Sequence, residues 1–263
     1  MISEHFPNIK ALIIDMDGVL WRDTQPLGDL REIFNILDKS GYRYILATNN
    51  ATRSLKEYLE KITQFGVELN EYQVISTALA LGLYLKREYP QGVSAYVIGQ
   101  PSLIKTLESH GIQVVNEDGR KVDVVVASLD YSLTYAKLKQ ASLLIQSGCD
   151  FIGTNSDPTL PTPEGLIPGS GTVIGALEIA SGKKARMIGK PEPLLYEMAM
   201  DRLGCKPDET LAIGDRLETD IVGAYRAGIH SVLVLTGAAT KAQAANFSIK
   251  PELIIRSLEE FVK

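Results

Sequence analysis

Short apolar runs and amphipathic helical patterns alternate along the chain. Before residue 77, the runs with the length of a buried strand lie at residues 11–14, 44–47 and 74–75. Between them, apolar residues recur at helical spacing from Leu27 to Leu37, and a capping box at residues 54–57 opens a second helical pattern. Strands that alternate with helices predict a parallel α/β sheet.

The same alternation continues to the end of the chain. From residue 77 onward, apolar runs predict strands at residues 95–98, 112–115, 122–126, 151–153, 211–213, 231–235 and 253–255. Helical patterns lie at residues 78–88, 134–147 and 172–180, and another begins at Pro101. Residues 154–168 contain four prolines, at positions 158, 161, 163 and 168, and predict a long loop.

Two aspartates follow the first apolar run, at the point where the strand should end. Asp15 and Asp17 are separated by one residue, and Gly18 follows them. Packing does not account for carboxylates at this place, because an unpaired buried charge is costly. They are candidates for a site that binds a cation and an electrophile. The alternative is an Asx-type turn at Asp17 and Gly18.

Three further polar clusters occur at or just beyond the ends of strand-like stretches. They are Thr48, Asn49 and Asn50 after the second apolar run, Lys190 between Gly189 and Pro191, and Asp215 and Asp220 after the run at residues 211–213. The carboxyl ends of strands in an open parallel sheet converge on one crevice, so we expect these side chains to lie together. Taken alone, Lys190 also fits a solvated surface lysine, and Asp220 fits a helix N-cap.

Together the four clusters resemble the motifs of the haloacid dehalogenase (HAD) superfamily of hydrolases. They read here Asp15-x-Asp17-Gly18, Thr48-Asn49-Asn50, Gly189-Lys190-Pro191 and Gly214-Asp215-Arg216-x-x-Thr219-Asp220. The second and fourth forms resemble subfamily IIA, the branch of p-nitrophenylphosphatases and of phosphoglycolate, pyridoxal phosphate and nucleotide phosphatases. The resemblance runs almost from end to end. It implies an α/β fold with a Rossmann-like, doubly wound parallel sheet as its core and an inserted α/β cap domain.

The position of the insertion follows from the order of the clusters. The stretch between the Thr48 and Lys190 clusters repeats the α/β pattern but carries no motif of the same kind. We therefore predict a catalytic core of residues 1–77 and 183–263 and a cap of residues 78–182. The resemblance implies that this cap sets the choice of substrate.

The resemblance also implies a reaction, namely Mg²⁺-dependent hydrolysis of small phosphate monoesters. Asp15 would attack phosphorus and form an aspartyl-phosphate, and Asp17 would act as general acid and base. Two unit charges 4 Å apart repel by about 4 kcal/mol at an effective dielectric constant of about 20, so a phosphate needs cations to approach a carboxylate. The expected substrate-binding residues are Thr48, Asn49, Asn50 and the catalytic Lys190. The expected Mg²⁺ ligands are Asp15, the backbone carbonyl of Asp17, and Asp215. Asp220 would hold the metal's waters or Lys190.

The composition of the chain indicates which classes of binding partner to expect. The chain has 263 residues, of which 45% are hydrophobic and 22% charged, and a net charge of −5 gives no basic footprint for nucleic acid. No apolar run approaches the length of a membrane span, and we expect neither a membrane nor a nucleic-acid partner. Two distant cysteines and a polar N-terminus indicate a cytoplasmic protein. We expect a small phosphorylated metabolite as substrate, and a homo-oligomer formed through the cap is an open possibility.

Two alternatives to a phosphatase are consistent with the same residue types. A phospho-accepting signalling domain also groups aspartates, a threonine and a lysine around Mg²⁺, but it lacks an acid two residues after the acceptor and needs no insertion. A non-phosphatase HAD hydrolase, such as one that breaks carbon–halogen bonds, needs no protonated leaving group, so Asp17 and the metal-binding acids would be superfluous. Asp17 and the insertion favour a phosphatase over the signalling domain, and Asp17 and the metal-binding acids favour it over carbon–halogen hydrolysis.

Overall fold

A computed structural model describes residues 2–115, 121–162 and 164–263 of the chain. The strands are β1 (Ala11–Ile14), β2 (Trp21–Arg22), β3 (Gln25–Pro26), β4 (Arg43–Thr48), β5 (Val74–Ser76), β6 (Ser94–Ile98), β7 (Gln113–Val114), β8 (Val124–Ala127), β9 (Asp150–Gly153), β10 (Thr159–Thr162), β11 (Gly165–Pro168), β12 (Arg186–Met187), β13 (Thr210–Gly214), β14 (His230–Val234) and β15 (Leu253–Ile255).

The described helices lie mostly between these strands. They are α1 (Ile2–His5), α2 (Leu30–Lys39), α3 (Leu55–Gln64), α4 (Thr77–Glu88), α5 (Pro101–Ser109), α6 (Tyr135–Gln146), α7 (Ser170–Ser181), α8 (Leu194–Leu203), α9 (Val222–Ala227), α10 (Lys241–Asn246) and α11 (Leu258–Val262). Short 3₁₀ turns cover Glu71–Gln73 and Pro207–Glu209, and one π-helical turn covers Leu217–Ile221.

The residues divide into two compact units. The first unit comprises Met1–Thr48, Leu55–Ile75 and Lys190–Lys263. Its six-stranded sheet has the order β15-β14-β13-β1-β4-β5, and β1 pairs in parallel with both β13 and β4. The chain builds outward from β1 in one direction through β4 and β5, and later in the other through β13. The order therefore reverses beside β1, which is where open α/β sheets place their sites.

Local sequence explains the central elements of this unit. All four residues of β1 are buried, as expected for a central parallel strand with helices on both faces. Helix α2 begins after Asp29, whose side chain accepts a hydrogen bond from the backbone N–H of Glu32 at 3.1 Å. Its apolar stripe at Leu30, Ile33, Phe34 and Leu37 is buried in the core of the first unit.

The second unit is a smaller α/β fold of its own. It comprises Asn49–Ser54 and Ser76–Gly189. Its five-stranded sheet has the order β12-β9-β8-β6-β7, and every pair in it is parallel. Buried apolar residues of the sheet and of α6 and α7 form one cluster, for example Val125, Ile145 and Ile174. The predicted α/β class, with two parallel sheets, is confirmed.

Two segments of the predicted core, residues 183–189 and 49–54, lie in the second compact unit. Strand β12 pairs with β9 in the second sheet, so residues 183–189 belong to the second unit and not to the core. Residues 49–54 also belong to the second unit, where the carbonyl of Thr52 accepts a hydrogen bond from Ser102 at 2.7 Å. Pairing partners far along the chain decide both assignments, and neither is visible in the local pattern.

Two local predictions also differ from the structure. The expected long loop at residues 154–168 contains an antiparallel hairpin of β10 and β11, with Leu160 opposite Ile167; Pro163 lies outside the described residues. The N-terminal segment forms the short helix α1, whose Ile2 is buried. No helix of the described ranges is long and apolar enough to cross a membrane.

Candidate active site

Lys190 is buried among acidic side chains beside the central strand of the first unit. Its Nζ donates to the carboxylate of Asp15, to Asp220 Oδ1 at 2.7 Å and to the carbonyl of Ala47 at 3.2 Å. Asp15 follows β1 directly, and its N–H continues the sheet by donating to the carbonyl of Ile213 at 2.8 Å. The end of β1 thus places a carboxylate against a buried cation.

The π-helical turn after β13 brings Asp220 to the same point. Asp220 Oδ2 accepts a hydrogen bond from the backbone N–H of Arg216 at 3.1 Å, while Oδ1 binds Lys190. The hydroxyl of Tyr196 donates to the backbone carbonyl of Asp220 at 3.1 Å. A Cβ on Gly214 would lie 2.3 Å from the Cβ of Asp220, so only glycine permits this close packing.

Asp215 has one satisfied and one unsatisfied carboxylate oxygen. Its Oδ2 accepts from the backbone N–H of Ala238 at 2.6 Å. Within the described ranges, Oδ1 is buried and has no hydrogen-bond partner. Cβ atoms on Gly18 and Gly237 would lie 2.5 Å and 1.9 Å from Oδ2, so two glycines leave room for this carboxylate.

The cluster holds more negative than positive charge. Ligand oxygens of Asp15, Asp215 and Asp220 lie within 4.8 Å of one another. When all three carboxylates are ionised, they exceed the charge of the Lys190 ammonium by two negative charges. Burial, together with the repulsion from Asp220, raises the pKa of Asp215 to about 6.

Burial and the neighbouring charges both shift the pKa values of Asp15 and Lys190, the two partners of the ion pair. Burial raises the pKa of Asp15 well above its usual range, which the attraction of Lys190 opposes and the carboxylates of Asp220 and Asp215 reinforce. Burial alone would lower the pKa of Lys190, but Asp15 and Asp220 outweigh it and hold this pKa above its ordinary value. Lys190 therefore stays protonated.

These features fit a divalent cation bound by oxygen. The unpartnered Oδ1 of Asp215 is a buried acceptor that needs a donor or a metal. Carboxylate oxygens are the ligands that Mg²⁺ prefers, and the two excess negative charges equal the charge of such an ion. Because both oxygens of Asp220 already accept hydrogen bonds, Asp15 and Asp215 are the better placed ligands.

Asp17 lies in the turn that follows, outside the buried cluster. It is exposed, and its Oδ1 accepts a hydrogen bond from the indole Nε1 of Trp21 at 2.8 Å. The turn closes through a hydrogen bond from the N–H of Gly18 to the carbonyl of Trp21 at 2.7 Å. Thr236 donates its hydroxyl to the carbonyl of Gly18 at 2.6 Å, which ties this turn to the chain after β14.

The structure separates the expected phosphate-binding residues. Thr48 ends β4 and is buried in the first unit, whereas Asn49 and Asn50 belong to the second. The backbone carbonyl of Asn49 accepts from the side chain of Asn155 at 2.9 Å. The side-chain oxygen of Asn50 accepts from the N–H and the hydroxyl of Thr52, at 2.9 and 2.6 Å, so it serves an Asx turn.

Sequence reasoning missed three contributors to the site. The sequence patterns assigned no role to Trp21 or Tyr196, and Ala238 carries no functional side chain. Of the three, only Ala238 could have been noticed in the sequence, because the small residues at 237–239 follow a buried strand at the same edge of the sheet. The other two contribute one polar atom each from a buried ring.

Comparisons with known proteins identify the family. A HAD-hydrolase-like family model matches residues 187–261, and a haloacid dehalogenase-like hydrolase model matches residues 12–113. The 5′-nucleotidase YutF of Bacillus subtilis is 34% identical over 96% of this chain and 97% of its own length. The chain belongs to the haloacid dehalogenase superfamily of hydrolases. The predicted family and the predicted class of enzyme, a hydrolase of the HAD phosphatase type, are confirmed.

Solved HAD structures share the fold over nearly the whole chain. A p-nitrophenyl phosphatase from Archaeoglobus fulgidus superposes with a TM-score of 0.91 at 29% identity and covers 97% of this chain and 99% of its own. A glycerol phosphate phosphatase from Mycobacterium tuberculosis, in complex with magnesium, gives a TM-score of 0.89 at 31% identity, covering 97% of this chain and 77% of its own. Both neighbours are phosphatases, as the sequence led us to expect of the branch.

The excess negative charge yields a prediction for the metal-free protein. Asp215→Asn keeps an oxygen for the N–H of Ala238 and turns an amide toward the other carboxylates. In the presence of a chelator it should raise the free energy of unfolding by roughly 1–3 kcal/mol, since one uncompensated buried charge is removed. Urea denaturation measures this change. Asp201→Asn on the exposed surface of α8 is the matched control and should stay within about 0.5 kcal/mol of wild type. A destabilised Asp215→Asn would contradict the charge excess.

Proposed function

We propose that this HAD hydrolase is a Mg²⁺-dependent phosphomonoesterase that acts on small phosphorylated metabolites through an aspartyl-phosphate on Asp15. The observation that supports this most directly is the cluster of Asp15, Lys190 and Asp220 with an unpartnered oxygen of Asp215 beside it. A carboxylate that pairs with a buried cation at the switch point of the sheet is held in one orientation, which suits it to attack phosphorus.

In the first step, Asp15 attacks the phosphorus atom and the bond to the ester oxygen breaks. Lys190 orients Asp15 and opposes the effect of burial on its carboxylate, and Asp220 keeps Lys190 in place. The leaving oxygen needs a proton, which Asp17 supplies as general acid. Asp17 is exposed and lies two residues after Asp15, so it can approach the leaving group while Asp15 attacks.

In the second step, water attacks the phosphorus of the aspartyl-phosphate and restores Asp15. Asp17, now deprotonated, takes a proton from this water, and inorganic phosphate leaves. Bound Mg²⁺ would supply positive charge for the phosphoryl oxygens throughout, held by Asp15, Asp215 and the carbonyl of Asp17. We assign Thr48 and the backbone N–H of Asn49 to contacts with the phosphoryl group, with Asn50 shaping the loop.

We assign substrate choice to the second unit, as a cap domain. The residues given catalytic or metal-binding roles, Asp15, Asp17, Lys190 and Asp215, all belong to the first unit. Relatives that share this architecture are named for a nucleotidase and for p-nitrophenyl and glycerol phosphate phosphatases, which indicates a common reaction with different leaving groups. The substrate of this enzyme is then a small metabolite, and a cytoplasmic location and an oligomer through the cap remain predictions.

A panel of small phosphate monoesters, assayed with Mg²⁺ for released phosphate, tests the proposal as a whole. Repeated turnover of at least one metabolite supports it. Labelling of the protein by one phosphoryl group per chain without turnover would favour a phospho-accepting signalling domain, and hydrolysis of haloacids without phosphatase activity would favour a different HAD chemistry.

Asp15→Asn should abolish turnover while the protein stays folded, because an amide neither attacks phosphorus nor ligates a metal well. We expect less than about 1% of wild-type kcat, because the loss of a nucleophile can lower kcat by as much as roughly 10⁶-fold. Asp23→Asn in the neighbouring turn is the matched control; its φ of 51° suits asparagine, and activity should not change. Circular dichroism checks the fold, and activity of several per cent in pure Asp15→Asn would refute the assignment.

Asp17→Asn should separate acid–base catalysis from metal binding. The substitution retains the backbone carbonyl, so Mg²⁺ affinity should change less than about threefold, whereas kcat should fall by roughly 10²–10⁴-fold. Titration of activity with Mg²⁺, and of the thermal unfolding midpoint with Mg²⁺, measures the two effects separately. A fall in Mg²⁺ affinity as large as the fall in kcat would assign the carboxylate itself to the metal.

Metal removal should silence the wild-type enzyme, and Mg²⁺ should restore it. Ca²⁺ should restore little, because it prefers more ligands at longer distances. Mg²⁺ should also raise the thermal unfolding midpoint of the wild type but not that of Asp215→Asn, which provides a measurement independent of activity. An equal Mg²⁺-induced shift in both proteins would place the ion elsewhere.

A further inference from the structure

Trp21 contacts the carboxylate of Asp17 with the only polar atom of its side chain. The indole Nε1 donates to Asp17 Oδ1 at 2.8 Å, although the tryptophan is fully buried and the aspartate is exposed. Both residues belong to the first unit. The hydrogen bond from the buried indole N–H therefore links the exposed carboxylate of Asp17 to the core of the first unit.

We propose that Trp21 is a positioning residue, which holds one carboxylate oxygen of Asp17 and so orients the other toward the leaving group of the substrate. This inference rests on the proposed role of Asp17 as general acid and base. Trp21 would act on the reaction through its hydrogen bond to Asp17.

The packing around Trp21 makes it a fixed reference point. It belongs to the core of the first unit, and the ring of Phe65 lies against it with 6.0 Å between centroids. The ammonium of Lys61 lies 4.2 Å from the centroid of the indole. Its backbone carbonyl closes the turn by accepting the N–H of Gly18. Backbone and ring are therefore both held, and the direction of Nε1–H is set.

The chemistry of the donor selects the oxygen. Indole N–H only donates, so it can neither accept a proton from Asp17 nor exchange roles with it. Because Nε1–H already bonds to Oδ1, we expect Oδ2 to face the reacting atoms of the substrate. The same oxygen then receives the proton from water in the second step. One rigid donor thus keeps the reactive oxygen the same in both half-reactions.

The test removes the N–H with little change of shape. Trp21 is the one tryptophan of the chain, so a tryptophan-auxotrophic host fed β-(3-benzothienyl)alanine replaces this residue alone with an isostere that has sulfur in place of N–H. Trp21→Phe is the second variant, which removes the donor by ordinary mutagenesis. Phe65→Leu disturbs packing against the indole but keeps the N–H, and serves as the packing control.

The measurement compares two substrates of nearly the same shape. Phenyl phosphate has a basic leaving oxygen that needs a proton, whereas p-nitrophenolate leaves readily without one. The parameter kcat/KM reports the step in which this bond breaks, before the intermediate is hydrolysed. The benzothienyl enzyme should lose about tenfold or more in kcat/KM for phenyl phosphate and less than about threefold for p-nitrophenyl phosphate. Phe65→Leu should change both substrates by the same factor.

Asp17→Asn, measured beside these variants, separates the inference from the proposed function. If Asp17→Asn loses more kcat/KM for phenyl phosphate than for p-nitrophenyl phosphate, the acid role of Asp17 is supported. If the benzothienyl enzyme then loses kcat/KM equally on both substrates, or not at all, Trp21 is structural and only the inference is overturned. Equal losses in Asp17→Asn overturn the acid role, and the inference with it. Selective losses in both proteins, at unchanged Mg²⁺ dependence, establish the positioning role.

Discussion

The site depends on the balance of charge around the ammonium of Lys190. Taking one lysine and three aspartates out of water is costly, and the cost is recovered only where each charged atom finds a partner. Lys190 meets this condition through Asp15, Asp220 and a backbone carbonyl. Asp215 does not, since one of its oxygens is left without a donor. The incomplete balance is what makes the cluster a receptor for a cation rather than a closed salt bridge.

The fold maintains this imbalance through backbone positions that admit no side chain. Glycines 18 and 237 border the carboxylate of Asp215, and Gly214 borders Asp220. Since β1 and β13 are neighbours at the switch point, Asp15 and Asp215 emerge side by side from strands that are about two hundred residues apart in sequence. Like charges brought together in this way lower stability without a bound cation, and sites commonly sacrifice stability for function in this manner.

Sequence patterns predict the parts of the site that depend on strand ends. Asp15 and Asp215 follow apolar runs, and convergence of parallel strands brings their carboxylates together. Contacts that depend on turn geometry are not predictable in this way. The bond from Trp21 to Asp17 requires a turn closed at Gly18, with a φ of 93°, and the sequence patterns assign no role to Trp21. The placement of β12 was missed because a two-residue strand is identified by its pairing partner, not by its own sequence.

Two aspartates separated by one residue are thus suited to opposite tasks by what they touch. Asp15 is paired with the buried ammonium of Lys190, which offsets part of the rise that burial causes in the pKa of Asp15 and holds the carboxylate in one place. Asp17 is exposed and bonds to a neutral donor, so one of its oxygens stays fixed while the side chain remains open to solvent. Environments that differ in this way are how one residue type provides both nucleophile and acid in a single site. The spacing is what permits it, because the chain leaves the buried strand end at Asp15 and reaches solvent by Asp17.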